Sequence, residues 1–180
     1  MDYQQVLQFW FGKACQGKWF ASDEQFDARV RETFGTCWQA ACRGELYPWR
    51  ETLRGRLAEI IVLDQFSRNL NRQHKDAWAQ DGMALILSQE ALSRPDWDTL
   101  SADERSFMLM PWMHSESASI HQRAAELFSR LAGPGYIEHE RQHAEVISRF
   151  GRYPHRNEAL GRTSTPEELA YIAGKTAPHF

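Results

Sequence analysis

The most restrictive feature of this sequence is the spacing of its apolar side chains, which recur with the period of an α-helix. The first long example is residues 22–44, where one apolar face is formed by Phe26, Val30, Phe34, Cys37 and Ala41. Ser22 followed three residues later by Gln25 predicts an N-terminal capping box, and Gly44 predicts the end of this helix. Such a repeat predicts a protein built from packed helices.

Further segments show the same period or a helix-terminal signal. They are residues 2–11, the segment after Pro48 that includes Leu57 and Asp64, residues 76–93, 101–111 and 120–131, the segment around His143, and a short last helix from Thr165. Ser101 with Glu104 predicts a capping box, and Pro166 after Thr165 suits a first helical turn. We therefore predict about eight helices. The β-branched run IIVL at 60–63 lies inside a longer helical period, so no strand is predicted.

The length and composition indicate one domain. A chain of 180 residues with 42% hydrophobic residues can bury a sizeable core, and no low-complexity linker divides it. Short connections between helices favour antiparallel neighbours. We expect a single all-α domain over residues 1–180, made of helical hairpins that stack as in a tetratricopeptide-like superhelix.

Charge and hydropathy exclude several classes of function. A net charge of −3 gives no reason to expect a nucleic-acid partner, and no segment is apolar enough to predict a membrane partner. The N-terminus has no export signal, and three cysteines without CxxC spacing indicate reduced thiols, so we expect a cytoplasmic protein. Seven Trp and ten Phe are compatible with a homo-oligomer but locate no interface.

Polar residues interrupt the apolar face of the helix that follows Pro48, in the segment LDQFSRN at 63–69. Asp64 continues the apolar stripe and Arg68 lies one turn further on, so the two side chains face each other. Gln65 and Asn69 form a second pair with the same spacing. Buried charges need partners, so the segment is either an internal ion pair that ties helices together or the polar floor of a pocket.

The segment PWMHSES at 111–117 presents a similar choice. Pro111 lies near a helix end, Ser115 is expected to cap the next helix, and Glu116 is expected in its first turn. His114 would then lie at a helix junction, where side chains point into clefts. Alternatively, the segment is only a cap, and His114 satisfies a backbone carbonyl.

Arginines concentrate in RFGRYPHRNEALGR at 149–162, a segment too rich in Gly and Pro to be a helix. Its basic side chains are Arg149, Arg152, His155, Arg156 and Arg162. They could bind a carboxylate or phosphate through forked hydrogen bonds. They could equally pair with Asp64, Glu116 or other internal acids and so tether an irregular loop.

His139, Glu140 and His143 match the zinc-protease pattern His-Glu-x-x-His. A third protein ligand would be required, and the tempting Glu158 follows His143 by only 15 residues, most of them in an irregular loop. We predict no metal site and no cofactor, and we interpret His139 and Glu140 as incidental.

Several long motifs together resemble the mainly bacterial family described as domain of unknown function 924. They include VLQFWFG at 6–12, GELYPW at 44–49, LAEIIVLDQFSRNLNR at 57–72, PWMHSE at 111–116, HAEVISRFGRYPHRNEALGR at 143–162 and STPEE at 164–168. The resemblance covers nearly the whole chain and implies an all-α fold similar to tetratricopeptide hairpins, but no established reaction. Ser67 stands where the family pattern implies Pro, and Trp112-Met113 stands where it is more aliphatic.

The sequence leaves three hypotheses for function. In the first, the protein binds a small anionic ligand or peptide in one polar pocket lined by Asp64, Arg68, Asn69, His114, Glu116, His143, Arg152, His155, Arg156 and Asn157. In the second, it is a hydrolase with His114 or His143 as general base and Glu116 or Asp64 as the acid that orients it. In the third, the polar residues only fix the fold, and the protein acts through protein–protein interaction.

Overall fold

The computed structural model describes residues 1–174 and is all-helical over that range. Its eight α-helices are α1 Tyr3–Trp10, α2 Glu24–Cys42, α3 Leu53–Ile60 with its continuations, α4 Asp81–Ala91, α5 Ala102–Met113, α6 Ala118–Leu131, α7 Tyr136–Phe150 and α8 Pro166–Ala173. Helix α3 continues through a π-helical turn, Ile61–Phe66, into a last α-helical turn, Ser67–Leu70. The prediction of an all-α fold with about eight helices is confirmed.

Several start signals are confirmed, and two are wrong by one or two residues. Capping boxes form at Ser101 and at Thr165 as expected. Asp23, not Ser22, caps α2, because its carboxylate accepts from two backbone N–H groups of the first turn. Ser115 does not cap α6; Ser117 is its N-cap residue, so Glu116 lies before the helix rather than in its first turn.

The largest departure from the predicted helices lies between residues 75 and 93. A helix was expected from Asp76 to Ser93. Instead Lys75–Ala77 forms a 3₁₀ turn, and α4 begins only at Asp81. His74 caps the short turn with its ring nitrogen, and Trp78 ends it by donating to the Lys75 carbonyl. The chain therefore bends at Trp78, and this bend shapes the cleft described below.

The core is aromatic and lies between α1, α2, α3 and α5. Phe66 packs against Phe34 with ring centroids 4.9 Å apart and against Trp10 at 5.6 Å. Phe107 of α5 contacts the same Trp10 edge-on at 5.4 Å. All four side chains are fully buried, so their packing fixes the position of the π-helical turn on which the polar site is built.

Helices α4 to α6 each pack against the helix that follows. This arrangement is compatible with stacked helical hairpins, and the tetratricopeptide-type superhelix stays a prediction. In residues 1–174 no helix is long and apolar enough to cross a membrane.

Candidate functional site

The three polar segments meet at one place, where the π-helical turn of α3 faces the C-terminal end of α5. Asp64 lies within that turn and is fully buried. Two of the carbonyls there accept side-chain donors: that of Leu63 from the Ser67 hydroxyl at 2.5 Å, and that of Asp64 from Arg68 at 2.8 Å. π-Helical turns are rare and occur frequently at functional sites.

Asp64 is held by three neighbouring side chains. Its Oδ1 lies 2.7 Å from His114 Nδ1 and accepts from Arg68 at 3.1 Å. Its Oδ2 accepts from the Gln65 amide at 2.6 Å. The carboxylate is thus fixed in position and in rotation. Burial acts to raise the pKa of Asp64, but the charge of Arg68 and the hydrogen bonds from His114 and Gln65 lower it, so the carboxylate is ionised at neutral pH.

His114 occupies the position where α5 ends, and there its side chain faces Asp64. Burial and the charge of Arg68 lower its pKa, although Asp64 opposes them, so the ring is neutral at pH 7. A neutral ring beside a carboxylate donates its Nδ1–H to it, which leaves Nε2 as the acceptor nitrogen. Nε2 makes no hydrogen bond to any residue that the structure describes. The expectation of a histidine at a helix junction is confirmed.

Asp81, the first residue of α4, contacts both Arg68 and Arg156. Together with Asp64 and His114, these three residues form the polar cluster. Asp81 accepts two hydrogen bonds from Arg68, at 2.8 and 3.0 Å, and one from Arg156 at 3.1 Å. Its side chain is 15% exposed, and the side chains of Arg68 and Arg156 are 18% and 7% exposed. One carboxylate therefore connects α3 to the loop that follows α7.

Arg156 is the central residue of the arginine-rich loop. Its guanidinium carbon lies 4.5 Å from the Tyr153 ring centroid and 5.4 Å from that of Trp78. It also donates to the carbonyl of His114 at 3.1 Å. Its Nε is buried and has no hydrogen-bond partner within the described chain. Arg156 thus contacts the backbone of the same residue whose ring faces Asp64.

Glu116 secures the other end of this loop. It accepts from the Tyr153 backbone N–H at 2.7 Å and from both terminal nitrogens of Arg162, at 2.7 and 3.0 Å. Burial acts to raise its pKa, but the hydrogen bonds from Arg162 and Tyr153 outweigh it and lower the pKa. Pairing of the loop arginines with internal acids was one of the two sequence-based alternatives, and this is the arrangement that the structure contains.

Three predicted site residues lie away from this cluster. Arg152 forms a forked ion pair with Glu168 of α8 at 2.6 and 2.8 Å. Asn157 donates to the Ser164 hydroxyl at 3.0 Å. Asn69 donates to Asp27 of α2 at 2.8 Å. These contacts hold α8 and α2 in place and make no direct hydrogen bond to Asp64 or His114.

His143 and His155 lie beside the cluster in aromatic surroundings. The His143 ring is 6.2 Å from that of His114 and 5.8 Å from that of Tyr153, and its Nδ1 lies 2.7 Å from the His139 carbonyl. Burial is the main cause that lowers the pKa of His143 to about 2. Burial and the charge of Arg156 lower that of His155 to about 3. Both rings are neutral at physiological pH.

The His-Glu-x-x-His pattern separates into unrelated environments. His139 lies near the Phe20 and Tyr136 rings, whereas Glu140 is fully buried and contacts His121 at 2.7 Å. His121 also contacts the Ser115 carbonyl at 2.8 Å. Glu140, interpreted as incidental from the sequence, is therefore a buried link between α7 and α6. Within residues 1–174 no three His, Cys, Asp or Glu side chains lie close enough to hold a metal ion.

A solvent-open cleft of about 550 Å³ runs along one side of the cluster. Its lining includes the polar residues His114, Glu116, Asp81 and Arg156, the apolar residues Trp78, Leu85, Pro111 and Leu160, and the exposed Lys75. Lys75 is exposed and belongs to no ion pair within the described chain. The volume of the cleft and its mixture of polar and apolar lining residues are typical of a small-molecule pocket.

Sequence reasoning missed Asp81 and Trp78. An acid in the first turn of a helix is normally explained by the helix dipole, so nothing marked Asp81 as an internal ion-pair partner. Trp78 was assigned to the apolar face of a helix that does not form there. The available signal was an excess of arginines: Arg68 and Arg156 required an acid in addition to Asp64.

The fold and the site together define a class: an all-helical domain with a buried aspartate–histidine contact beside an open cleft. The chain belongs to the family described as bacterial protein of unknown function (DUF924), whose model matches residues 6–175. It is similar to a solved protein of unknown function from Agrobacterium tumefaciens, with 37% identity and a TM-score of 0.88 over 95% of this chain and 96% of that one. No curated protein matches the chain.

Proposed function

We propose that the protein binds a small ligand in the cleft beside His114, and that this ligand contains both an anionic group and a hydrogen-bond donor. The observation that supports this is the contact between Asp64 and His114 at the cleft wall. Because Asp64 accepts a hydrogen bond from the Nδ1–H of His114, Nε2 of His114 is an acceptor that no described residue uses. A bound hydroxyl or amine would satisfy it.

The ion pairs limit which part of the predicted small anionic ligand or peptide the arginines can bind. Arg68 and Arg156 share Asp81, and Arg162 is taken by Glu116. A guanidinium group already paired with a carboxylate has little to gain from a second anion. Among the lining residues of the described chain, Lys75 is a cation that forms no ion pair, so a carboxylate would lie there and the remainder of the ligand would extend towards His114.

The apolar residues that line the cleft suit the body of such a ligand. Trp78 and Leu85 are partly exposed there, and Leu160 is 38% exposed. Covering them would release water from apolar surface and add to the polar contacts. Small hydroxy acids and short peptides with a free carboxylate have the required chemistry.

Thermal denaturation in the presence of chosen probes tests this proposal. Lactate, malate and alanyl-alanine contain a carboxylate and a donor, whereas acetate lacks the donor. At a hundredfold excess over its Kd, a ligand stabilises the folded state by about 2.7 kcal/mol, which is a Tm increase of roughly 5–11 °C for a chain of this size.

We expect at least one of the three donor-bearing probes to raise the Tm more than acetate does. Lys75→Gln should remove that increase, whereas Lys13→Gln, a matched change of an exposed lysine away from the cleft, should keep it. The proposal fails if none of these probes raises the Tm of the unaltered protein, or if Lys75→Gln responds as fully as Lys13→Gln.

We also propose that the protein works in the cytoplasm without a nucleic-acid partner. In support, Cys15, Cys37 and Cys42 form no disulfide, and burial raises the pKa of all three thiols.

If the polar cluster is only structural, the cleft probes will not bind, while changes in the cluster will still lower stability.

A further inference from the structure

We infer that Asp64 and His114 form a proton-transfer pair, in which His114 is a general base for a hydrolytic reaction in the cleft and Asp64 is the residue that positions it. This inference rests on the proposed ligand-binding cleft and assigns it a chemical step. It selects His114 over His143 as the base, and Asp64 over Glu116 as the acid that orients the base.

The geometry distinguishes the two candidate bases. His143 Nδ1 lies at hydrogen-bond distance from the His139 carbonyl in its own helix, and His143 is not among the cleft-lining residues. His114 lines the cleft and lies 2.7 Å from a carboxylate. A general base needs its acceptor nitrogen within reach of the substrate, and a third group that fixes its tautomer. Only His114 of the two satisfies both conditions.

The candidate acids are distinguished in the same way. Glu116 is engaged by Arg162 and by the Tyr153 backbone, and both of its oxygens are used there. Asp64 is fully buried and has one oxygen directed at His114 Nδ1. Gln65 and Arg68 hold the carboxylate so that it cannot rotate away. This is the arrangement by which a buried aspartate keeps an imidazole in one tautomer.

The charges around His114 keep it unprotonated and therefore competent as a base. Asp64 and Asp81 favour the imidazolium, whereas Arg68 and burial disfavour it, and the balance lowers its pKa. His143 packs at 6.2 Å on another side and is itself neutral. At pH 7 the imidazole can thus accept a proton without first losing one.

The proposed step is hydrolysis of a carboxylic ester or amide. His114 Nε2 takes a proton from a bound water molecule, and the oxygen of that water forms a bond to the carbonyl carbon of the substrate. The imidazolium then donates that proton to the leaving oxygen or nitrogen as the C–O or C–N bond breaks. The products are a carboxylic acid and an alcohol or amine, and the imidazole is regenerated without any oxidant or reductant.

Two measurements test the inference. The first is native labelling with diethyl pyrocarbonate, which acylates an unprotonated imidazole nitrogen that solvent can reach, followed by mass spectrometry of the labelled peptides. We expect His114 to be labelled in the folded protein. In Asp64→Asn the pH dependence of labelling at His114 should change, because the carboxylate no longer fixes the tautomer. A purely structural role of Asp64 would leave that profile unchanged.

The second measurement is hydrolysis of 4-nitrophenyl acetate by the whole chain. General-base catalysis contributes about 10²–10⁴-fold, so we expect His114→Gln to lose at least about a hundredfold in kcat/KM. His139→Gln, a change of an exposed histidine outside the cleft, should retain full activity and controls for adventitious reaction of surface imidazoles. His114→Gln leaves every ion pair of the cluster except the contact with Asp64, and circular dichroism should confirm that it folds.

Each outcome has a distinct meaning. The inference is overturned if His114→Gln and the unaltered protein hydrolyse the ester at the same rate, or if His114 escapes labelling while His139 is labelled. If the carboxylate probes still bind in that case, the binding proposal stands alone. If hydrolysis depends on His114 although no probe binds, the proton-transfer pair stands and the proposed ligand is wrong.

Discussion

Asp81→Asn should destabilise this protein far more than the loss of one partly exposed carboxylate suggests. The Asp81 side chain accepts three hydrogen bonds from two guanidinium groups, two from Arg68 and one from Arg156. An asparagine has the same shape, but it has no charge and presents an NH₂ group to at least one arginine donor. Arg156 would then keep no carboxylate partner within the described residues.

The magnitude follows from the burial of those groups. Breaking a buried ion pair by removing one partner costs about 3–5 kcal/mol, because a buried charge is left uncompensated. Arg68 retains Asp64 as a partner, and Asp81 itself is 15% exposed, so we expect the lower end of that range, about 3 kcal/mol. For a chain of this length that corresponds to a decrease in Tm of roughly 6–12 °C.

Urea denaturation of the purified variants measures this directly, with circular dichroism for the fold. Glu45→Gln is the matched control, since Glu45 forms a comparable ion pair with Arg43 in which both side chains are more than half exposed. It should leave the urea midpoint unchanged. If Asp81→Asn shifts the midpoint no more than Glu45→Gln does, Asp81 does not connect α3 to the arginine-rich loop as we describe.

Three further expectations concern other parts of the fold. Gly55→Ala should destabilise the protein by about 1–3 kcal/mol in urea denaturation, since the added carbon would lie 2.0 Å from the Trp49 carbonyl oxygen. Gly35 has open space around it, so Gly35→Ala should instead stabilise the protein by about 0.5–1 kcal/mol. Equal effects of the two changes would contradict this packing. His143 has a folded-state pKa of about 2, below its unfolded value, so below pH 6.5 the unfolded chain binds a proton that the folded chain does not. The free energy of unfolding should therefore fall below pH 6.5 by up to about 1.4 kcal/mol per pH unit. His143→Gln should show a shallower fall in urea midpoint between pH 7 and 5, and an unchanged slope would refute this. Burial raises the pKa of the Cys37 thiol to about 11. Cys37 in the folded protein should therefore react with Ellman's reagent about a hundredfold more slowly than Cys37 in the urea-unfolded protein. Rapid labelling of the folded protein at Cys37 would contradict its burial.

The sequence was sufficient to predict the helices because their signals are local. Capping boxes at Ser101 and Thr165 depend on residues three positions apart, and the structure contains both. The bend at Trp78 was not predicted, and the Trp78 ring contacts Arg156, a residue distant in sequence. Tertiary contacts of this kind override helical propensity and leave no local signal.

The candidate site was predictable in composition but not in pairing. Asp64 and Arg68 were identified because polar residues on apolar faces need partners, His114 because it lies at a predicted helix junction, and Arg156 because arginines concentrate in an irregular loop. Which acid meets which base depends on how helices distant in sequence pack, so the role of Asp81 could not be deduced. The same limit explains why the arginines suggested an anion site, although the structure pairs them internally.

The most direct test of the account is the protonation state of the His114 ring. Long-range ¹H–¹⁵N correlation spectra of labelled protein report which imidazole nitrogen is protonated, and His114→Gln assigns the signals. We predict that at pH 7 Nδ1 is protonated and Nε2 is not, and that the ring titrates below pH 6.5. A ring protonated on Nε2 at pH 7, or one that titrates above pH 6.5, would contradict the proposed contact with Asp64 and the role of His114 as a general base.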